Sequence, residues 1–250
     1  MGRVPGHVLL KKLGKTKLRP GGVEGTSWLF EQVEVTKDTK LLEVACNTAG
    51  NLIEIAKEHH NHCVGLDQST EWTDEARKNV QAAGLEDYIE IIQGNALKMP
   101  FEDNTFDIVV NEAMLTMLPV KAKKKALAEY YRVLKPGGVL LTHDIRELEE
   151  DEDALKALQK AVHMPVEPLL LEKWLEIFEG VGFSDFKYNS GEFTLLSEAG
   201  LLRDEGQEGM KKIMENALND ENREQFMEMM TIFTDPNSNH RYLVMRSKKQ

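Results

Sequence analysis

The chain has 250 residues, a formal net charge of -11 and 41% hydrophobic residues, enough for one well-buried domain of about 150 to 200 residues with additions. The acidic balance argues against nucleic acid and anionic membrane surfaces, which are met by an excess of Lys and Arg, and favours a small molecule as substrate. Two cysteines, Cys46 and Cys63, carry no disulfide framework and no metal-ligand spacing, so a reducing cytoplasm and no metal site are expected.

Residues 1–27 are rich in Gly and Lys and read as a flexible lead-in. Within them Val8 to Leu10 is too short for the apolar core of a signal peptide, and no apolar run in the sequence approaches the roughly 20 residues that span a bilayer. A helix is expected over Thr26 to Gln32, then a buried strand over Lys40 to Ala45, a turn of small residues, and a helix from Leu52. His62 to Asp67 reads as a second strand, Trp72 to Ala83 as an amphipathic helix stopped by Gly84, and Ile89 to Ile92 as a third strand. Phe106 to Val110 is nearly all apolar, as a strand buried on both faces would be. Lys121 to Leu134 has apolar residues at helical spacing and is closed by Pro136-Gly137-Gly138, after which Val139 to Thr142 supplies a fifth strand. The acidic run from Glu147 to Asp153 reads as the solvated start of a helix over Ala154 to Val162, where carboxylates suit the positive end of the dipole. Leu171 to Glu179 is a further helix. Phe186 to Tyr188 and Arg241 to Arg246 are the strands of a terminal antiparallel hairpin, interrupted by a Met-rich helical segment from Leu195 to Phe233. This alternation predicts an α/β fold with a mostly parallel, doubly wound sheet. The expected division is a lead-in over 1–34, a core over 35–194, an insert over 195–235 and the last core strand over 236–250.

Chemistry concentrates at the carboxyl ends of the strands. The turn Ala45-Cys46-Asn47-Thr48-Ala49-Gly50 needs small residues for backbone to approach a ligand at a helix N-terminus, and Asn47 is the non-glycine type that best tolerates a positive φ. Asp67 ends the second strand, where a carboxylate in such folds accepts ribose hydroxyl protons. Gly94-Asn95-Ala96 follows the third strand and Asn111-Glu112 the fourth. The fingerprint G-x-G-x-x-G of nicotinamide dehydrogenases is absent.

Residues Leu42 to Gly50, Val64 to Asp67, Gly94 to Phe101 with Phe106 to Val109, and Arg132 to Leu140 together resemble the class I S-adenosylmethionine-dependent methyltransferases, in the small-molecule branch with quinone-biosynthesis and arsenite-methyltransferase-like proteins. The Arg19-Pro20-Gly21-Gly22 element with Thr26 resembles a lead-in of that branch. The resemblance implies a Rossmann-like sheet of seven strands with an antiparallel last strand, and S-adenosylmethionine as cofactor. It also implies that Glu43, Ala45, Cys46, Asn47 and Ala49 hold the methionine portion, with Gly22 and Thr26 contributing from the lead-in. Asp67 would bind the ribose, Gln68 would flank the adenine, Asn95, Ala96 and Leu97 would contact the ring, and Asn111 with Glu112 would close the site near the sulfonium. Where the family carries three glycines, this chain has Ala45, Asn47 and Ala49.

Methyl transfer needs in-line positioning, and a base is optional. His143 and Glu112 are the candidate catalytic residues, with packing under the next helix as the other reading of His143. Cys46 reads as a buried filler of the turn, and two cysteines cannot form the thiol triad of arsenite methylation. The Met-rich segment reads as a lid or wall for an apolar or variable substrate, as ordinary helix packing, or as the contact of a homodimer. The expected activity is methyl transfer to a small-molecule acceptor with release of S-adenosylhomocysteine; the alternative is a non-catalytic binding or scaffold protein of the same fold.

Overall fold

The computed structural model describes residues 3–250; the first two residues of the lead-in lie outside the described residues. In chain order the elements are α1 (Gly6–Leu13), α2 (Gly22–Phe30), β1 (Lys40–Val44), α3 (Gly50–His59), β2 (His62–Asp67), α4 (Thr70–Ala83), β3 (Ile89–Gln93) and β4 (Phe106–Glu112). A single 3-10 turn (Leu115–Met117) leads into α5 (Val120–Val133), β5 (Leu134–Glu147), α6 (Glu152–Val162), β6 (Leu169–Leu170), α7 (Leu171–Glu179), β7 (Phe183–Gly191), α8 (Glu198–Ala217), α9 (Asp220–Phe233) and β8 (His240–Lys249).

The sheet has eight strands in the order β3-β2-β1-β4-β5-β8-β7, with the two-residue β6 pairing β5 off this path. The strands from β3 to β5 run parallel, and β8 runs antiparallel to both β5 and β7. The expected seven-strand path and antiparallel last strand are present, and Tyr188 faces Met245 in the terminal hairpin. β1 is buried from Leu41 to Val44 and β4 is almost wholly buried, because helices cover both faces of the parallel part. The chain leaves β1 for β2 on one side and pairs β4 on the other, so a crevice opens outside the carboxyl ends of these strands, where α/β sheets bind ligands.

Local chemistry sets the helix ends. The Ser69 side chain accepts the Trp72 N–H to start α4, and Gly84 ends it at φ 67°; Asp151 caps α6 by accepting the N–H groups of Asp153 and Ala154. Two hydrophobic clusters lie on the two faces of the sheet. A third joins Leu9, Leu10 and Leu13 of α1 to Leu158 and Val162 of α6 and to the apolar faces of α8 and α9.

Four expectations are corrected. Gly6 to Leu13 is a helix rather than a flexible lead-in, with Leu9, Leu10 and Leu13 buried. α2 begins at Gly22, before Thr26. Pro136-Gly137-Gly138 lies within β5 instead of closing a helix, because α5 stops at Val133 and the chain is already extended at Leu134. Glu147 is not part of the solvated acidic run; it is buried at the end of β5, beside His240.

Candidate active site

The turn after β1 holds three residues in the left-handed region: Ala45 at φ 58°, Asn47 at φ 52° and Ala49 at φ 62°. The resemblance would put glycine at these positions; Ala45 and Ala49 each cost about 1 to 2 kcal/mol of backbone strain there, and Asn47 less. Backbone ties hold the turn in place. The Cys46 N–H donates to the Leu66 carbonyl at 3.1 Å and the Ala49 N–H to the Cys46 carbonyl at 2.9 Å. Cys46 packs over Gly65, where a Cβ would lie 2.8 Å from its sulfur. Burial pushes the Cys46 thiol well above the ordinary thiol value, so it is an inert filler.

Asp67 faces this turn from the end of β2. One carboxylate oxygen accepts the Asn47 N–H at 3.1 Å and the other the Ser69 N–H at 2.9 Å. Each oxygen keeps a lone pair for a hydroxyl. Asp67 borders a cavity of about 430 Å³ at the carboxyl edge of the sheet. Ala45, Asn47, Gln68, Asn95, Ala96, Leu97 and Glu112 border the same cavity, which brings together eight of the residues singled out in the sequence. Trp72 also lines it. Gly94 permits a close approach at its rim, since a Cβ there would sit 2.6 Å from a Leu66 methyl. The Asn95 side chain folds back to accept the Leu97 N–H at 2.8 Å, which fixes that loop.

A smaller polar cleft of about 90 Å³ adjoins the turn and is bordered by Lys17, Arg19, Glu43, Asn51 and Glu112, with Cys46 also on its wall. Here the side chains form one network. The Asn51 amide donates to Glu43 and to Glu112, both at 2.7 Å. Arg19 donates to the Asn51 carbonyl oxygen at 2.6 Å and to the Thr26 hydroxyl, and lies 3.2 Å from Glu112. Thr26 in turn donates to Glu112 at 2.5 Å. Burial and the facing Glu112 carboxylate raise Glu43 to about 8, so Glu43 is mostly protonated at neutral pH. Burial also pushes Glu112 upward, but Arg19, His143 and Thr26 outweigh it and hold this carboxyl down at about 2. Two carboxyl groups sharing one site thus divide into an acid and an anion. One oxygen of Glu43, Oε2, is buried without a hydrogen-bond partner, the unmet demand that a ligand in the cleft would fill.

The structure withdraws other candidates from the cavities. His143 is fully buried: its Nε2 accepts the Gly21 N–H at 2.9 Å, so Nδ1 carries the proton and donates to Glu112 at 3.2 Å. With both ring nitrogens engaged it positions Glu112 rather than meeting a substrate. Asn111 is buried and accepts the Tyr130 hydroxyl at 2.9 Å, and Ala49 packs into the core beneath the turn. Gly22 packs against Arg203 and Asp204 of α8, which a Cβ would overlap. Thr26 reaches the site only through Glu112. The lead-in supplies more than was read from it: His7 and Leu18 line the large cavity, as do Met114, Met117 and Met164. The Pro5 and Gly14 that bracket α1 were the signal for that helix, since Pro before and Gly after is the ordinary punctuation of a helix. No spacing pattern pointed to the three methionines.

Comparison with known proteins agrees with this geometry. The model of a methyltransferase domain matches residues 42–142. An uncharacterized protein of Haemophilus influenzae is 47% identical over 245 residues, covering 98% of each chain. A demethylmenaquinone methyltransferase of Listeria welshimeri is 40% identical over 114 residues, 45% of this chain and 47% of that protein, so the match spans about half the relative's length. Among solved structures, the cyclase SpnF superimposes with a TM-score of 0.75 at 18% identity, over 97% of this chain and 92% of its own, a likeness of fold. Residues 42–142 form a methyltransferase domain, and the whole chain has a Rossmann-like methyltransferase fold.

Proposed function

We propose that the protein transfers a methyl group from S-adenosylmethionine to a small-molecule acceptor and releases S-adenosylhomocysteine. The observation that carries this reading is the Asp67 carboxylate, tied to the turn after β1 and bordering the large cavity. The donor set fits the cofactor part by part. Asp67 would accept the ribose hydroxyls, and Gln68 with the Asn95 to Leu97 loop would border the adenine. The cofactor's amino and carboxylate groups would meet the polar cleft, where Glu112 offers a negative charge and Arg19 and Lys17 positive ones. When bound, the cofactor supplies an electrophilic methyl on a sulfonium. The protein's part is to hold it, exclude water and set its orientation. Among the described residues no helix is long and apolar enough to cross a membrane, in keeping with a small-molecule enzyme of the cytoplasm.

Calorimetric titration of the full chain with S-adenosylmethionine and S-adenosylhomocysteine is the first test: a folded sample that takes up neither overturns the proposal. A second reading, cofactor binding without methyl transfer, is favoured by the non-glycine residues of the turn. It is separated by a screen for S-adenosylhomocysteine release over small-molecule acceptors, in which binding without any turnover supports it.

A further inference from the structure

The large cavity meets a second, apolar one beneath α1. This second cavity measures about 50 Å³ and is walled by Leu10 and by Leu158, Val162, Met229 and Phe233 from α6 and α9. Five residues border both cavities, namely His7, Leu18, Ala113, Met117 and Met164, and His7 is the titratable one among them. The lysines of α1 are engaged, Lys11 with Glu75 and Lys12 with Glu221 and Asn222, whereas His7 has no side-chain hydrogen bond among the described residues. Asp144, which also lines the apolar cavity, is occupied by the backbone N–H groups of Thr116 and Ile145. An imidazole with its nitrogens unengaged therefore stands where the two spaces join.

We propose that His7 is the general base of the reaction, taking the proton from the acceptor's nucleophilic atom at the junction of the two cavities. The proposal rests on the methyltransferase function above. In the step it serves, the acceptor atom's electron pair forms the bond to the methyl carbon and the carbon–sulfur bond breaks with its pair going to sulfur. The proton passes from the acceptor to His7 and then to water. The acceptor that fits is a small molecule with an ionisable O–H, N–H or S–H beside a short apolar substituent, because the apolar cavity is well under the about 150 Å³ that houses a benzene ring.

Asp67 at the end of β2 acts on His7, Glu112 on β4 and Asp144 on β5 are the other charged groups bordering the cavities it joins, and Lys11 on its own helix is paired with Glu75; α6 and α9 supply apolar walls. Burial lowers the imidazole below its ordinary value, opposed by Asp67, which leaves it neutral and able to accept a proton at physiological pH.

The test is an NMR titration of the histidine rings in the full chain, once saturated with S-adenosylhomocysteine and once with S-adenosylmethionine. His7 is assigned by the signal lost in His7→Gln, with His7→Asn as the second variant if the first does not fold. The His7 pKa is expected to be lower by about 0.5 or more in the S-adenosylmethionine complex, because a sulfonium charge within roughly 6 Å opposes a second positive charge even at the dielectric of water. Equal values in the two complexes overturn the proposal while leaving the methyltransferase function standing. Failure of both ligands to bind by calorimetry overturns both.

Discussion

Asp67 and Glu43 are both acidic residues at the crevice beyond β1, and their surroundings give them opposite duties. Asp67 borders the open cavity and offers lone pairs, so Asp67→Ala is expected to weaken S-adenosylhomocysteine binding by about 1 to 3 kcal/mol, the effect of buried hydroxyls losing a charged acceptor. Calorimetry checks this, and unchanged affinity would mean the ribose lies elsewhere. Glu43 is buried, and its effect is on stability. Burial and Glu112 raise it to about 8 in the folded chain, against about 4.3 when unfolded. Between those values the folded state holds a proton that the unfolded state has released, so its stabilising effect is complete below about 4.3 and is lost as pH rises toward 8. Glu112, held down at about 2, acts the other way: its contribution is present above about 4.3 and is lost as pH falls through the folded value. Glu43→Gln keeps an acceptor for Asn51 and removes the titration, so its urea midpoint should fall less than the wild type's between pH 5 and pH 8.5, a range set by about 4.3 and about 8. Equal losses in the two proteins would count against the assignment. Asp67 was legible in the sequence because a strand end fixes where its carboxylate sits. The network of Arg19, Asn51, Glu43 and Glu112 was not, since its members lie up to 93 residues apart, as in the Arg19 to Glu112 pair, and only the closed fold brings them within reach.

At the scale of elements, α2 shows how a glycine can place a side chain far along the chain. Gly21 and Gly25 lie against His143 of β5, and a Cβ on Gly25 would sit 2.6 Å from the ring. Gly25→Ala is therefore expected to displace His143 from Glu112 and to lower stability by about 1 to 3 kcal/mol, as overpacking does. Denaturant unfolding measures the loss. Gly50→Ala, where a Cβ meets nothing within 4 Å, is the control and should unfold at a midpoint no lower than the wild type. Strand and helix assignments in the parallel half followed directly from apolar periodicity, because each βα unit is local. β5 was read as Val139 to Thr142 but spans Leu134 to Glu147. Its extension past Thr142 is set by pairing with β8, from His143 with Val244 to Glu147 with His240, a contact more than ninety residues away that periodicity within a short window does not report.

In the whole molecule, the parallel sheet supplies the crevice at its carboxyl edge, and a cap of α1, α6, α8 and α9 closes over that edge around a core of its own. The Met-rich insert belongs to that cap: Ile213, Ala217, Phe226 and Met229 are buried in it with Leu9, Leu10 and Leu13 of α1. Met229 and Phe233 also face the apolar cavity. In the insert, helix packing and the lining of the apolar cavity are therefore one arrangement. α1 joins the rest of the cap through those leucines, and Lys15, just past its end, is buried beside Asp204 and Glu205 of α8. Its His7 borders the large cavity. A ligand filling that cavity gives α1 a second surface to rest on and removes water from its inner face, so openings that detach α1 become rarer by the full linkage of binding. The amides of α1 should then exchange with deuterium more slowly when the chain is saturated with S-adenosylhomocysteine, by up to about 100-fold at 100 times the dissociation constant. The outward-facing edge strand β7, on the far side of the sheet from β1, should exchange at an unchanged rate. Exchange followed by mass spectrometry resolves the two segments. Equal protection of both would indicate that the ligand stabilises the fold only globally, and no protection of α1 would place the bound cofactor away from the cap.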